Sequence, residues 1–490
     1  QVLDLEDESL APGSLRMFEP LDFTHTRGAM ENYNAGELAA TYMAHHNGMS
    51  LCALCNLLEN SAVRTGFMEN DMIKAAALLL EEKPPEGASP RKVREEVKVK
   101  SLNITPAKAA PGRVQALSNG SLRGVYFADG TGALWFKDLA LTLPSFNGGI
   151  FRGGSSLYIK DESEQSVIWP GALEGMFRED KCVFSYTGKH FKISEEIILS
   201  ADKNVEIRTI ELENLSMQPR EAIITLAHDA VLCPPNDYYA HRVFNKLFVS
   251  AHKLSDAVIL KRRGKRGETD GCIALSAAGE FEAQWYCTDR FAFYGRTNTG
   301  LPDMVACAEE RPGDFKEVPI EPMLAQSVRI KLKPNQRSSV TFYTSASLNE
   351  GEMEQLLTGL KACESKKEAE LACAQAVARM NYYNIGANQI ILAGKAIYNA
   401  LRDAKAGISE NGKRDLLWSM GISGDNPIML VHCPAQFSSE SLKSVISAYR
   451  YICFAGFKMD LLVLDFSEQD YMQADYNRVE NLLASIERGE

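Results

Sequence analysis

Residues 113–142 read RVQALSNGSLRGVYFADGTGALWFKDLALT. Short apolar runs alternate there with Asn119-Gly120 and Asp129-Gly130, dipeptides that favour tight hairpin turns because both residues tolerate positive φ. The stretch predicts consecutive antiparallel strands. The same period-two pattern runs from about residue 110 to 344. HFKISEEIILSADKNVEIRTIELENLS (190–216) predicts another strand pair turning on residues 201–204. Within it Val205 and Ile207 share one phase and Ile210 and Leu212 the other, which predicts either a bulge or a strand covered on both faces. More than ten such strands in about 230 residues predict a large antiparallel sandwich. FNGGIFRGG (146–154) is glycine-rich without a dinucleotide-binding spacing and reads as a loop.

Outward from this centre the period changes. Residues 37–83 read as helix, with Leu38, Tyr42, Met49, Cys52 and Leu58 at helical spacing, and EKPPEGASPRK (82–92) then breaks every pattern. After the strands, 349–405 returns to helix, Asn349 offering an N-cap to an acidic first turn. NPIMLVHC (426–433) and KMDLLVLDF (458–466) are apolar strands around a helical segment, 440–455, a βαβ-like unit with Asp465 at the carboxyl end of its second strand. The predicted organisation is α+β and multidomain: a first piece over 1–83 that ends in helix, a linker over 84–104, the sandwich over 105–348, linker helices over 349–410 and a small αβ segment within 411–490.

The 490 residues are 45% hydrophobic and 24% charged with net charge −11, a globular composition that disfavours nucleic acid and anionic lipid as partners. The one basic run, Lys261 to Arg266, reads as a solvated hairpin tip. No apolar run reaches the ~20 residues of a membrane span. The eleven cysteines are scattered, Cys182, Cys233 and Cys453 in apolar contexts, which suits buried thiols of a reducing compartment. Cys52 and Cys55 have CxxC spacing without a second pair, so no metal site is expected. The chain opens on Gln1 and reads as a segment of something longer.

TYMAHHNGMS (41–50) sets two titratable rings in an apolar helix. Adjacent helical residues point about 100° apart, so His45 shares the stripe of Tyr42 and Met49 while His46 turns away. The pair reads either as satisfied core or as donors to a sugar hydroxyl, with Gly48 letting a neighbouring backbone approach. Glu19, between Phe18 and Pro20 in SLRMFEPLDFT (14–24), is either a surface loop residue or a partly desolvated acid or base. In GISGDNPI (421–428) Asp425 either caps a turn or, with Arg414 and Trp418, suits a sugar or phosphate site. The remaining histidines form no metal cluster.

These stretches resemble one family in order. YMAHHNGMSL (42–51) is similar to the glucoamylase-like transglycosylase domain of bacterial cyclic β-1,2-glucan synthases. Residues 117–142, LYIKDESEQSVIWP (157–170), YYAHRVFNKLFV (238–249), CTDRFAFYGR (287–296) and LLWSMGISGDNPIMLV (416–431) resemble glycoside hydrolase family 94, including its 1,2-β-oligoglucan phosphorylases. The resemblance implies an (α/α)-barrel remnant over 1–83, the family's β-sandwich (supersandwich) at the centre and the approach to a catalytic barrel at the end, with the general acid beyond residue 490. It implies Glu19 as a transglycosylase carboxylate, although Pro20 replaces a small residue, and Tyr42, His45 and His46 as groove-lining residues. The implied partners are a β-glucan or glucooligosaccharide, phosphate or glucose 1-phosphate, and the remainder of the same enzyme. No cofactor is implied beyond inorganic phosphate as co-substrate. The implied location is cytoplasmic, the full-length synthase being inner-membrane anchored. A non-catalytic carbohydrate-binding or scaffold segment, and a phosphorylase of another β-linked disaccharide, stay open as alternatives.

Overall fold

A computed structural model describes residues 44–70, 113–264, 270–295, 302–306, 315–360, 363–403 and 415–466, with short breaks inside those ranges, and a few short pieces elsewhere. The chain divides into two units, 1–92 with 410–424, and 93–409 with 425–490.

In the first unit, β1 (Leu21–Asp22) pairs antiparallel with β2 (Glu37–Leu38), and two helices follow, α1 (Ala44–Leu58) and α2 (Ala62–Met68). The helix expected from residue 37 starts later, because residues 37–38 are strand, and it breaks where Asn60 and Ser61 adopt φ of 49° and 65° between α1 and α2, a left-handed conformation that no α-helix carries through. The second helical stretch expected over 71–82 lies, apart from Ile73, outside the described residues.

The second unit contains two nine-stranded sheets in which every pairing is antiparallel. In chain order the strands are β3 (Ala107–Lys108), β4 (Val114–Ser118), β5 (Leu122–Phe127), β6 (Gly132–Phe136), β7 (Leu139–Thr142), β8 (Ser145–Asn147), β9 (Ile150–Arg152), β10 (Ser155–Asp161), β11 (Ser166–Ile168), β12 (Glu174–Phe177), β13 (Lys181–Thr187), β14 (Phe191–Leu199), β15 (Val205–Asn214) and β16 (Arg220–Cys233). They continue with β17 (Val249–Leu254), β18 (Ala257–Arg262), β19 (Gly271–Gly279), β20 (Ala283–Asp289), β21 (Pro322–Leu332) and β22 (Arg337–Ser347). One sheet runs β11-β10-β16-β7-β6-β5-β4, with β21 joining β16 to β20; the other runs β17-β18-β19-β22-β15-β14-β13-β12-β3. β8 and β9 form a hairpin of their own, so 146–154 is not the plain loop expected.

Strand parity places the core. Leu122, Leu134, Ile224 and Leu226 of the first sheet share one apolar cluster with Ile193, Ile197, Ile210, Leu212 and Phe342 of the second. Alternate residues of β14, from Lys192 to Glu196, stay partly or fully exposed. The opening stretch alternates differently, because both of its faces are covered. Val125, Phe127, Ala133 and Trp135 point away from the first cluster into a second, shared with helices α8 (Ser365–Tyr383), α9 (Ala387–Asp403) and α10 (Ser439–Phe454). β15 is covered likewise: Ile210 and Leu212 face the sandwich interior, whereas Val205 and Ile207 pack with Leu360 of α7 (Glu350–Leu360). Its register with β14 and β22 is continuous, which settles the two expected alternatives in favour of a doubly covered strand.

Local chemistry fixes the corners. Asn119 Oδ1 accepts from Ser121 N (3.1 Å) and Leu122 N (2.8 Å), while its Nδ2 donates to Ser200 O and Lys203 O (both 2.8 Å) at the β14–β15 turn. One amide therefore shapes a hairpin and ties the two sheets together. Gly120 and Gly130 sit at φ of 98° and 82°. Glu352 N donates to Asn349 Oδ1 at 2.9 Å, the predicted cap of α7. The last segment is a parallel pair, β23 (Ile428–Pro434) with β24 (Asp460–Phe466), joined through α10, as the βαβ reading expects.

Two sequence expectations are corrected. Arg262 is fully buried: it continues the inward phase of Val258 and Leu260, donates to Asn245 Oδ1 at 3.0 Å and lies 5.8 Å from the Phe248 ring centre. Cys182 and Cys233 are buried, but Cys453 is exposed, one position past Ile452 on the buried face of α10.

Candidate functional site

Of the residues singled out from the sequence, Glu19, Tyr42 and Arg414 lie outside the described residues, and of His45 and His46 only the α1 backbone is described. The rest of α1 is not a packed core stripe: Met49 is 67% and Leu57 77% exposed. Among the described residues, nothing lies within 4 Å of a Cβ placed at Gly48. Trp418 ends a one-turn helix, Asp415–Trp418, and its indole donates to Ser423 O at 3.1 Å inside a turn that Gly421 and Gly424 enter at positive φ. Asp425 is exposed and belongs to the second unit, Trp418 to the first.

The structure brings together two polar constellations that sequence reasoning passed over. The first is sealed between the sheets. Arg208 donates to Glu195 Oε1 (3.1 Å), Glu206 Oε1 (3.0 Å) and Ser155 Oγ (2.9 Å), and Tyr126 donates to Glu206 Oε1 at 2.8 Å. His228 Nε2 lies 3.1 Å from Thr344 Oγ1. Burial pushes Glu195 up to about 7 against the pull of Arg208, and its Oε2 has no hydrogen-bond partner. Glu206 is also penalised by burial, but Arg208, His228 and Tyr126 hold it below the usual carboxylate range. Burial drives His228 down to about 4. With zero exposure at Glu195, Glu206 and Arg208, these groups cannot touch a substrate. They are an internal salt-bridge network whose value depends on every member being paired.

The second lies at an end of the sandwich, where β16 runs into the short helices α3 (Pro235–Ala240) and α4 (Arg242–Lys246), near α5 (Arg290–Tyr294), against which α6 (Asp303–Ala306) packs. Asp229 takes the outward phase of β16, and its Oδ1 accepts from Arg290 Nε at 3.1 Å. Arg290 lies 4.6 Å from the Tyr294 ring centre and Arg242 5.5 Å from that of Tyr238, both within cation–π range. Lys246 is paired with Glu321. Asp289 fixes the position of α5: its Oδ1 accepts from Phe291 N and Ala292 N (3.0 and 3.3 Å) and its Oδ2 from Ile320 N (3.2 Å). Desolvation raises the Asp229 carboxyl although Arg290, Arg242 and Lys246 oppose it. The spacing was a usable signal for one pair: Arg290 and Tyr294 are four residues apart within α5, which puts guanidinium and ring side by side on a helical turn, whereas Tyr238 and Arg242 are brought together across the break at His241 between α3 and α4.

By contrast, an open groove of about 620 Å³ between α8 and the outer face of β13–β15 is lined by charged and small residues such as Lys181, Glu196, Lys366 and Glu370, with no aromatic ring. Among the described residues no group of three or more His, Cys, Asp or Glu could hold a metal ion. Nor is any described helix long and apolar enough to cross a membrane.

A family model described as glycosyl hydrolase 94, supersandwich domain, matches residues 98–363. The cyclic beta-(1,2)-glucan synthase NdvB of Rhizobium meliloti (strain 1021) is 23% identical over 509 residues, an alignment covering 94% of this chain and 18% of that protein. The chain thus spans about a fifth of the length of this relative. Among solved structures, a putative kojibiose phosphorylase from the human microbiome aligns with TM-score 0.34 and 11% identity, covering 58% of this chain and 38% of that one. A bacterial glucoamylase complexed with acarbose aligns with TM-score 0.37 and 12% identity, covering 63% and 41%.

Proposed function

Because the chain belongs to the glycosyl hydrolase 94 supersandwich family, we propose that it handles β-glucan chains, as part of an enzyme that transfers glucosyl units or cleaves glucan with phosphate. The observation that carries the reading is the family match over 98–363, set inside an alignment of nearly the whole chain to a cyclic β-1,2-glucan synthase. That relative's name makes a β-1,2-glucan or glucooligosaccharide the proposed substrate.

The proposed roles follow the residue types. Glu19 serves as a carboxylate at the transglycosylation centre. Tyr42, His45 and His46 line the glucan groove, the rings donating to sugar hydroxyls. Arg414, Trp418 and Asp425 serve sugar or phosphate. In inverting phosphorolysis a phosphate oxygen attacks the anomeric carbon directly. The glycosidic C–O bond breaks and a general acid supplies the proton to the departing oxygen, giving glucose 1-phosphate and a shortened glucan. Phosphate is then co-substrate, the remainder of the same enzyme is the partner, and the cytoplasm is the proposed compartment.

A second reading, a non-catalytic scaffold or glucan-binding segment, is favoured by one observation: the sandwich's Glu195 and Glu206 are locked between the sheets, away from any ligand. Product analysis separates the two. The chain is incubated with linear β-1,2-glucooligosaccharides, with and without phosphate. Redistribution of chain lengths that disappears in Glu19→Gln supports transfer, and phosphate-dependent glucose 1-phosphate supports phosphorolysis. Glucan bound but returned unchanged supports the scaffold.

A further inference from the structure

The cluster at the end of β16 has no part in those roles. We propose that Asp229, Arg290, Arg242 and the half-exposed rings of Tyr239, which contacts Tyr238, and Phe291, which follows Arg290 in the chain, form a saccharide-binding subsite for a neutral β-glucan segment, an inference that rests on the glucan-handling reading above.

Charge supports a neutral ligand. Arg242, Lys246 and Arg290 face Asp229 and Glu321, and Lys246 is already paired with Glu321. So donors and acceptors are nearly balanced, as a chain of hydroxyls requires and a phosphate-bearing ligand does not. The polar groups are also held in place. Each guanidinium lies against a tyrosine ring, Asp289 anchors the first turn of α5, and Asn245 Nδ2 ties α4 back to Asp237 O at 2.7 Å. Groups fixed beforehand lose little entropy on binding. The Asp229 and Arg290 side chains remain 33% and 38% exposed, so both reach solvent while bonded to each other. Tyr239 is 49% and Phe291 44% exposed. A half-exposed ring is a platform for the apolar C–H face of a pyranose, whose hydroxyls then point outward to the charged groups. Few placed polar groups beside aromatic surface is the general make-up of a small-molecule site.

Val243 and Leu247 are strongly exposed on the same segment and would suit a protein contact, so the test includes that outcome. The 490-residue chain is titrated calorimetrically with linear β-1,2-glucooligosaccharides, as wild type and as Arg242→Ala, Tyr239→Ala and Asp229→Asn. Loss of a charge-assisted bond or a stacking face predicts about tenfold weaker binding in each. Arg242 and Tyr239 are exposed, so far-UV circular dichroism and the urea midpoint stay as in the wild type for those two variants. Wild-type affinity in Arg242→Ala and Tyr239→Ala, with the wild type binding glucan, overturns the subsite and leaves the broader reading intact. A wild-type chain that binds no β-glucan overturns both. If Tyr239→Ala and Val243→Asp alter self-association by sedimentation while glucan affinity is unchanged, the face is a protein contact and the subsite is wrong.

Discussion

Replacing Glu195 by Gln should make the sandwich more stable at alkaline pH and leave it nearly unchanged at acid pH. In the folded chain the Glu195 carboxyl keeps its proton up to about pH 7, whereas its ordinary value is 4.5. Between those values the native state holds the proton more tightly than the unfolded chain, so stability falls as pH rises. Each pH unit costs about 1.4 kcal/mol, giving about 3 kcal/mol across the window. His228 works in the opposite sense. Buried and neutral, it accepts a proton only near 4 instead of its ordinary 6.5, so stability falls by a similar amount, about 3 kcal/mol, as pH drops through that window. From pH 4.5 to 6.5 the two slopes cancel in the wild type. Glu195→Gln preserves the shape and removes one of the two slopes. Its urea-unfolding free energy, followed by tryptophan fluorescence, should rise between pH 4 and 6.5. The gap over wild type should grow from near zero at pH 4.5 to about 3 kcal/mol at pH 8. A gap independent of pH, or one that favours the wild type at pH 8, refutes the reasoning.

Other perturbations probe the packing. A Cβ at Gly394 of α9 would stand 2.4 Å from Val114 O, so Gly394→Ala should lower the urea-unfolding free energy by about 1–3 kcal/mol despite alanine's better helix propensity. Asn119→Ala removes the bonds that shape the β4–β5 turn and reach the other sheet and should cost about 1–3 kcal/mol, with the hairpin amides losing hydrogen-exchange protection. Phe342, fully buried between the sheets, should cost about 3–5 kcal/mol as Phe342→Ala, read from the shift in urea midpoint at constant slope.

The strands of the sandwich were legible because its hairpins carry their own turn chemistry at Asn119-Gly120 and Asp129-Gly130, and because half-buried strands such as β13 announce themselves in two-residue alternation while doubly covered ones such as β6 read as short apolar runs. The pairing order was not. β16 pairs with β10, β21 and β7, partners separated from it by scores of residues, and nothing local encodes such contacts. β15 shows where the pattern is ambiguous. Its phase change came from a helix laid over half of its outer face, a tertiary effect that the sequence can only leave as two options. Arg262 misled because a charge run suggests solvent, whereas strand phase and one asparagine acceptor carry the guanidinium inward. Of the candidate site, the paired histidines drew attention by their chemistry. The Asp229 cluster did not, since its residues come from three separate stretches, and only the Arg290/Tyr294 spacing of four pointed to it.

The most direct measurement of the central claim is calorimetric titration of the whole chain with a panel of linear oligosaccharides of β-1,2, β-1,3, β-1,4 and α-1,4 linkage. A glucan-handling segment of this family should bind the β-1,2 series, at least about tenfold more tightly than the α-1,4 series. Heat signals absent for every β-glucan, or an α-1,4 oligosaccharide bound as tightly as the β-1,2 one, would contradict it.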